Sequence, residues 1–325
     1  MEITIKECIE FLKSNDNYLI FTHAAPDADT LGSGLALKYA LEKSGKQVKL
    51  YNPDSIPARL GFLTEGTEVF NRIPKGEYTL VSVDIASPAM LKGLDREYLE
   101  NLVFDLSIDH HDINSVNTKR LLCLSGYPAV GEIIADITKL MGVPFDKTNS
   151  LWMYAAISAD SGCFRYSSTR PETLITAAEL LQTGIDFAKI NRRIFECKTK
   201  GQLALEKDAY DNLESFFDGK VAIVCLSDRV LDLDYVDEND VDQINNIPRQ
   251  IADVEVSALI RRYGDEIKVS FRSNDYYDVA ALAKSFGGGG HIHAAGCRFK
   301  TSVKDAKEKI LEALKKDFEN TIKNG

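Results

Sequence analysis

The sequence predicts an α/β protein with an N-terminal parallel-sheet domain flanked by helices, a helical connector and a smaller α/β C-terminal domain. Three observations carry this. Apolar strand-like runs alternate with helical spacing through the first half, the rhythm of a parallel sheet covered by helices. A long charged stretch, FAKINRRIFECKTKGQLALEKDAYDNLESFFDG, follows with Gly201 as its internal breaker, and β-branched runs resume near Lys220. With 325 residues against roughly 150 per domain, two domains and a cleft between them are expected, with boundaries at 1–185, 186–218 and 219–325.

Taken in order, YLIFTH at 18–23 is a short apolar run, and LGSGLALKYALEKSG at 31–45 spaces Leu31, Leu35 and Tyr39 helically before a Gly45 stop. QVKLYN begins the next strand. YTLVSVD at 78–84 and LVFDLSIDHH at 102–111 repeat the pattern, each ending in acidic or histidine residues. In open α/β sheets ligands bind at the strand C-termini, so these three endings should be neighbours in space. From Asn149, SLWMYAAISAD reads as a helix running into Asp160. PETLITAAELLQTGID is another, punctuated by Pro171 and Gly184. In the last third, VAIVCLS, VEVSALIRR and IKVSFRS are strands and DVAALAKSF is a helix leading into GGGG. SVKDAKEKILEALKKDFENTI closes the chain as a helix with Ile310, Leu311 and Leu314 on one face.

Composition narrows the function. Apolar residues make up 44% and charged residues 27%, which excludes disordered and collagen-like classes. The excess of 49 Asp+Glu over 39 Lys+Arg gives a net charge of −10, which argues against holding long duplex nucleic acid by its phosphates. No apolar run approaches the roughly 18 residues of a membrane span. The start, MEITIKECIEFLKSNDNY, mixes both charge signs, so a cytoplasmic protein without a membrane partner is expected. The six cysteines are scattered without a CxxC and read as reduced thiols. The five histidines are His23, His110, His111, His291 and His293.

His23 ends a strand and is followed by a turn at Pro26 and by Asp27 and Asp29, which can aim one imidazole and two carboxylates at one volume. Asp27 and Asp29 are equally good caps for the helix that begins there, and both readings stand at this point. Asp84 closes an apolar run, where an unpaired carboxylate is costly unless it caps or binds a cation. Asp109-His110-His111 closes another. Adjacent histidines on an extended segment face opposite sides, so one of the pair is expected to ligate while the other faces a substrate. Asp160 ends its helix. His23, Asp27, Asp29, Asp84, His110 and Asp160 form an oxygen-rich set suited to Mn²⁺ or Mg²⁺, and their four carboxylates balance two divalent ions.

HAAPDADTLGS, VSVD, IDHHDIN and SADSGCFRY resemble, in order, the motifs of the DHH phosphoesterase family. GGGGHIHAAGCRF resembles the signature of its DHH-associated C-terminal domain. The resemblance spans almost the whole chain and is strongest to the small nano-RNase and pAp-phosphatase enzymes of bacteria. It implies His23 and Asp27 on one metal ion, Asp29, His110 and Asp160 on a second, and Asp84 bridging both. It also implies catalytic roles for His111, beside the scissile phosphate, and for Asp109, which orients a histidine or the nucleophilic water. Substrate contacts would come from Arg272, His291 and the glycines Gly288, Gly289 and Gly290, with Arg165 a further candidate. The implied protein is a Mn²⁺-dependent phosphohydrolase of short oligoribonucleotides, and of pAp to AMP. A linear or cyclic dinucleotide phosphodiesterase is the alternative, and a non-catalytic nucleotide-binding sensor is the reading from another class. Pyrophosphatases share the N-terminal motifs but carry a different second domain. The sequence leaves a homodimer open.

The glycine run, followed by His291 and the small residues Ala294, Ala295 and Gly296, reads as an anion nest, although a helix cap and loop would look similar. His293 reads as a structural histidine and Trp152 as core. Phe164 and Tyr166 suit either burial or stacking on a base. Ile85-Ala86-Ser87-Pro88, and Ala159 and Ser161 around Asp160, depart from the family pattern without removing a proposed ligand.

Overall fold

The chain begins with helix α1 (Ile5–Ser14), closed at its start by a Thr4/Glu7 capping box. Strand β1 (Tyr18–Phe21) follows and is buried along its whole length, as a strand covered by helices on both faces must be. Then come α2 (Ala28–Lys43), β2 (Val48–Tyr51), β3 (Thr79–Val83), α3 (Arg96–Asn101), β4 (Leu106–Asp109), β5 (Leu121–Cys123), α4 (Val130–Leu140), α5 (Lys147–Asp160), α6 (Pro171–Gln182) and α7 (Phe187–Asn191). The five strands form one parallel sheet in the order β2-β1-β3-β4-β5. The order reverses between β1 and β3, which makes their C-terminal ends the crevice of the sheet. Trp152 is core, with its Nε1 donating to the Leu63 carbonyl at 2.7 Å.

This computed structural model describes residues 1–322, the side chains of Asn239, Asp242, Gln243 and 319–322 excepted. It divides into two units, Met1–Cys197 and Lys198–Gly325. In the second, α8 (Lys200–Asp211), β6 (Leu213–Phe216), β7 (Val221–Cys225), α9 (Asp228–Leu231), α10 (Glu238–Ile244), β8 (Val256–Tyr263), β9 (Glu266–Ser273), α11 (Val279–Ser285), β10 (Gly289–His291), β11 (Ala294–Phe299) and α12 (Val303–Ile322) build a mixed sheet. Its order is β10-β11-β9-β8-β7-β6. One face packs against Ala306, Ile310 and Leu314 of α12, and the other against Leu205 and Ala209 of α8 with Val230, Val241 and Ile244.

The stretch 186–218, expected as a connector, is divided between the units. α7 lies in the first. α8 covers the second unit's sheet because Leu205 and Ala209 have an apolar face to bury, and β6 is an edge strand of that sheet. The glycine run also differs from the expected loop. Gly287, at φ +77, ends α11 as a cap, but Gly289 and Gly290 lie in β10 and pair with β11. Among the described residues no helix is long and apolar enough to cross a membrane. All six cysteines are free.

Candidate metal and catalytic site

Three strand ends and one helix end converge at the sheet crevice. Thr30 ties two of them: its Oγ1 accepts from the His23 N–H at 3.2 Å and donates to the Val83 carbonyl at 3.2 Å. His23 is 7% exposed, and its Nδ1 lies 2.8 Å from the Ala24 carbonyl. A carbonyl only accepts, so Nδ1 carries a proton and Nε2 faces the cluster, 3.6 Å from Asp27 and 3.4 Å from Asp84. His110 is arranged the same way. Its Nδ1 meets the Tyr127 carbonyl at 3.1 Å, and its Nε2 lies 3.4 Å from Asp160, 3.7 Å from Asp84 and 3.9 Å from Asp29. A backbone carbonyl behind each ring fixes its tautomer and orientation, the usual support of a metal-bound imidazole.

Asp27 divides its oxygens: Oδ1 caps α2 by accepting from the Thr30 N–H at 3.0 Å, while Oδ2 turns to His23. Asp29 is fully buried and caps a different helix. Its oxygens accept from the Val130 and Gly131 N–H groups at 2.8 and 2.9 Å, at the start of α4, and from Ser33 at 2.8 Å. Asp84, 2% exposed, sits at φ +59 just past β3, a left-handed conformation that a non-glycine residue adopts only under constraint. Its Oδ1 has no hydrogen-bond partner.

His110 and His111 do not face opposite sides as expected. β4 ends at Asp109 and the chain bends at Asp112, so strand alternation no longer applies, and the two rings lie 4.9 Å apart with both turned to Asp84. His111 Nδ1 is 2.8 Å from Asp109 Oδ1. Asp109, fully buried, also accepts from Asn114 Nδ2 at 2.7 Å, and Asn114 donates to the Ile85 carbonyl at 2.9 Å. Asn114 was not singled out from the sequence, although its place five residues after Asp109, in IDHHDIN, was a usable signal.

Ligand atoms fall within 4.8 Å of one another in three sets: His23, Asp27 and Asp84; Asp29, His110 and Asp160; and Asp84, His110 and His111. Burial, compounded by the charge of Asp29, raises the pKa of Asp84 and of Asp160 well above the carboxylate range. Burial lowers the His23 pKa, but the Asp27 and Asp84 carboxylates outweigh it and push it up to about 11. Without a cation, protons on these groups offset the crowded negative charge, and an orphaned Asp84 oxygen faces into the cluster. These residues fit hard divalent cations. Asp109's hydrogen bond, working against burial, raises the His111 pKa.

The second unit brings Arg272, Gly288 and Gly289 to a cavity of about 620 Å³, together with Lys268 and Arg298, which the sequence reading missed. Gly290 and His291 do not line it. Gly288 and Gly290 have backbone reasons to be glycine: a Cβ would stand 2.2 Å from the Gly296 carbonyl oxygen and 2.4 Å from that of Ala294. His291 is exposed in β10, and a two-residue turn at Ile292-His293 breaks the alternation between the two histidines. His293 Nδ1 meets Ser273 Oγ at 2.9 Å. Arg165 is exposed, and its Nε donates to the Gly162 carbonyl at 2.5 Å within its own loop. Phe164 packs against the core, and Tyr166 is 57% exposed.

A model of the DHH family N-terminal domain matches residues 17–157, and a model of the DHHA1 domain matches residues 218–320. The bifunctional oligoribonuclease and PAP phosphatase NrnA of Thermus thermophilus is 30% identical over 303 residues, covering 92% of this chain and 89% of that protein. The probable NrnA of Streptococcus mutans is 29% identical over 322 residues, covering 95% and 97%. Among solved structures, an exopolyphosphatase-related protein from Bacteroides fragilis superposes with a TM-score of 0.84 at 23% identity over 97% of both chains. The exonuclease RecJ bound to manganese superposes at 0.54 and 15% identity, covering 95% and 94%. These two likenesses establish the fold.

Proposed function

The chain belongs to the DHH family and carries a DHHA1 domain in its second unit, and on that premise we propose that it is a Mn²⁺-dependent phosphohydrolase of short oligoribonucleotides that also converts pAp to AMP. One observation carries the reading: buried Asp84 turns Oδ2 to His23 and its partnerless Oδ1 toward His110 and His111. His23 and Asp27 would hold one divalent ion, and Asp29, His110 and Asp160 the other, with Asp84 shared. Bound there, the ions would supply a water of lowered pKa and neutralise charge on the phosphoryl oxygens.

The remaining work belongs to the chain's own groups. Asp109 accepts from His111 Nδ1–H and favours the protonated ring, whose Nε2–H can donate to the departing oxygen. Asn114 holds the other oxygen of Asp109 and prevents the carboxylate from rotating off the ring. In the second unit, Arg272 and Lys268 would neutralise a substrate phosphate, while Gly288 and Gly289 allow it to approach the backbone. The NrnA relatives support the choice of oligoribonucleotides and pAp. Hydrolysis assays on pAp, pApA, a cyclic dinucleotide and RNA of increasing length test it, and full activity of Asp84→Ala would sink it.

A further inference from the structure

In a chain of net charge −10, some cations meet carboxylates, as Arg170, Arg261 and Arg262 do. Four cations of the first unit are instead gathered at one place. Arg59, Lys189, Arg192 and Arg193 line a cavity of about 360 Å³ whose other walls are Ala58 and Cys197. No carboxylate lines it, and none of the four has an ion-pair partner among the described residues. Four cations around one cavity repel one another, Arg59 and Arg193 half-buried and Lys189 and Arg192 exposed, so an anion seated among them is favoured.

The backbone around it is built rather than incidental. Arg192–Glu196 forms a π-helical turn, an irregularity concentrated at functional sites. It packs against the 3₁₀ turn Ala58–Leu63 that carries Arg59, with Arg193 over the Phe62 ring at 5.4 Å. Burial lowers the Arg59 pKa, and the opposing influence is the charge of Asp27, so Arg59 lies within electrostatic reach of the metal-ligand cluster. A second cavity of about 250 Å³ shares Lys189 and Arg193; Phe62, Leu151, Ile185 and Ile190 give it apolar walls, and Glu65, Lys147 and Asp186 also line it. Forked guanidinium donors match phosphate oxygens, and the apolar walls beside them suit a base.

We propose that this cationic pocket holds a phosphate of the nucleotide chain other than the one being cleaved, with the attached base in the apolar cavity beside it. The inference rests on the reading of the protein as an oligonucleotide hydrolase, and it gives that enzyme a means of favouring substrates with a second phosphate.

The test is fluorescence anisotropy of 3′-labelled, 5′-phosphorylated triadenylate with the full chain in EDTA. Arg59→Gln/Arg192→Gln should raise Kd at least about tenfold. It should also flatten the dependence of log Kd on log salt by about 1.4, at about 0.7 per cation on a single strand. Lys189→Gln/Arg192→Gln, at two exposed positions, should do the same without risk to folding. Lys6→Gln/Lys75→Gln removes equal charge from exposed positions elsewhere on the unit and should bind like the parent. Parent-like Kd and slope in both pocket variants overturn the proposal, as does an equal loss in the control. An active protein with such variants keeps its function and loses the pocket. A protein that hydrolyses no phosphoester but shows the expected shifts keeps the pocket and loses the function. Competition by AMP as strong as by unlabelled triadenylate would assign the pocket to a free nucleotide and overturn the chain-binding claim.

Discussion

Asp84→Asn should stabilise the metal-free protein while removing its activity. Asp84 is 2% exposed, its Oδ1 is unpartnered, and burial with the nearby Asp29 charge raises its pKa well above the ordinary range. The sign follows from linkage: a carboxyl harder to ionise in the folded than in the unfolded chain penalises folding increasingly as pH rises past its unfolded pKa near ~3.9. At pH 7 the penalty is bounded by about 1.36 kcal/mol for each of roughly three pH units, or about 4 kcal/mol. Relief of half of it, about 2 kcal/mol, corresponds to about 4–8 °C in melting temperature for a unit of this size. Asn keeps the side chain's shape and tolerates the φ of +59 better than most residues. Thermal melts in EDTA at pH 7 should place the variant above the parent, with the difference closing toward pH 4. Added Mn²⁺ should raise the parent more than the variant, since binding to the folded state alone stabilises it. A variant melting below the parent in EDTA at pH 7 would refute the idea that the cluster is held together against its own repulsion.

Asp29→Ala should act in the opposite direction, because the Val130 and Gly131 N–H groups lose their acceptor at the buried start of α4. At about 1–3 kcal/mol for each orphaned donor, the urea midpoint in EDTA should fall, and an unchanged midpoint refutes the capping role. Asp109→Asn replaces the charged acceptor that raises the His111 pKa with a neutral amide. If His111 donates the proton, it is then lost at lower pH and the alkaline limb of the kcat/KM profile moves down; a stationary limb excludes His111 from that role. Gly131→Ala would set a Cβ 2.4 Å from that of Ala156 and force α4 from α5, at a cost of about 1–3 kcal/mol in thermal melts. Gly290→Ala, with φ +150 and the Ala294 carbonyl 2.4 Å away, should break the β10–β11 pairing and weaken nucleotide binding without lowering the metal affinity of the first unit.

The strands that carry the Asp/His cluster were legible because each is an apolar run that stops abruptly at a polar residue. What stayed hidden depends on contacts distant in sequence. α4 lacks a local signal at its start: Ala129 gives no side-chain cap, and the cap comes from Asp29, about a hundred residues earlier. The convergence of His110 and His111 needs a bend that spacing alone does not announce, since alternation holds only inside a strand and β4 ends at Asp109. The glycine run has no strand propensity of its own and is extended by pairing with Ala294, Ala295 and Gly296. Arg165 was named as a further candidate for substrate contact, yet its hydrogen bond to Gly162 could not be read from spacing. The cations of the π-helical turn read only as part of a charged connector because their shared cavity depends on Arg59, far away in sequence.

The most direct test of the central claim is a product profile of the Mn²⁺-loaded protein, with EDTA as the control, on pAp, pApA, a five-nucleotide RNA, a long RNA and a cyclic dinucleotide. The account predicts Mn²⁺-dependent release of mononucleotides from the short RNAs and of AMP from pAp, with long RNA a poor substrate and no turnover in EDTA. Tight nucleotide binding without hydrolysis of any phosphoester in Mn²⁺ would contradict it.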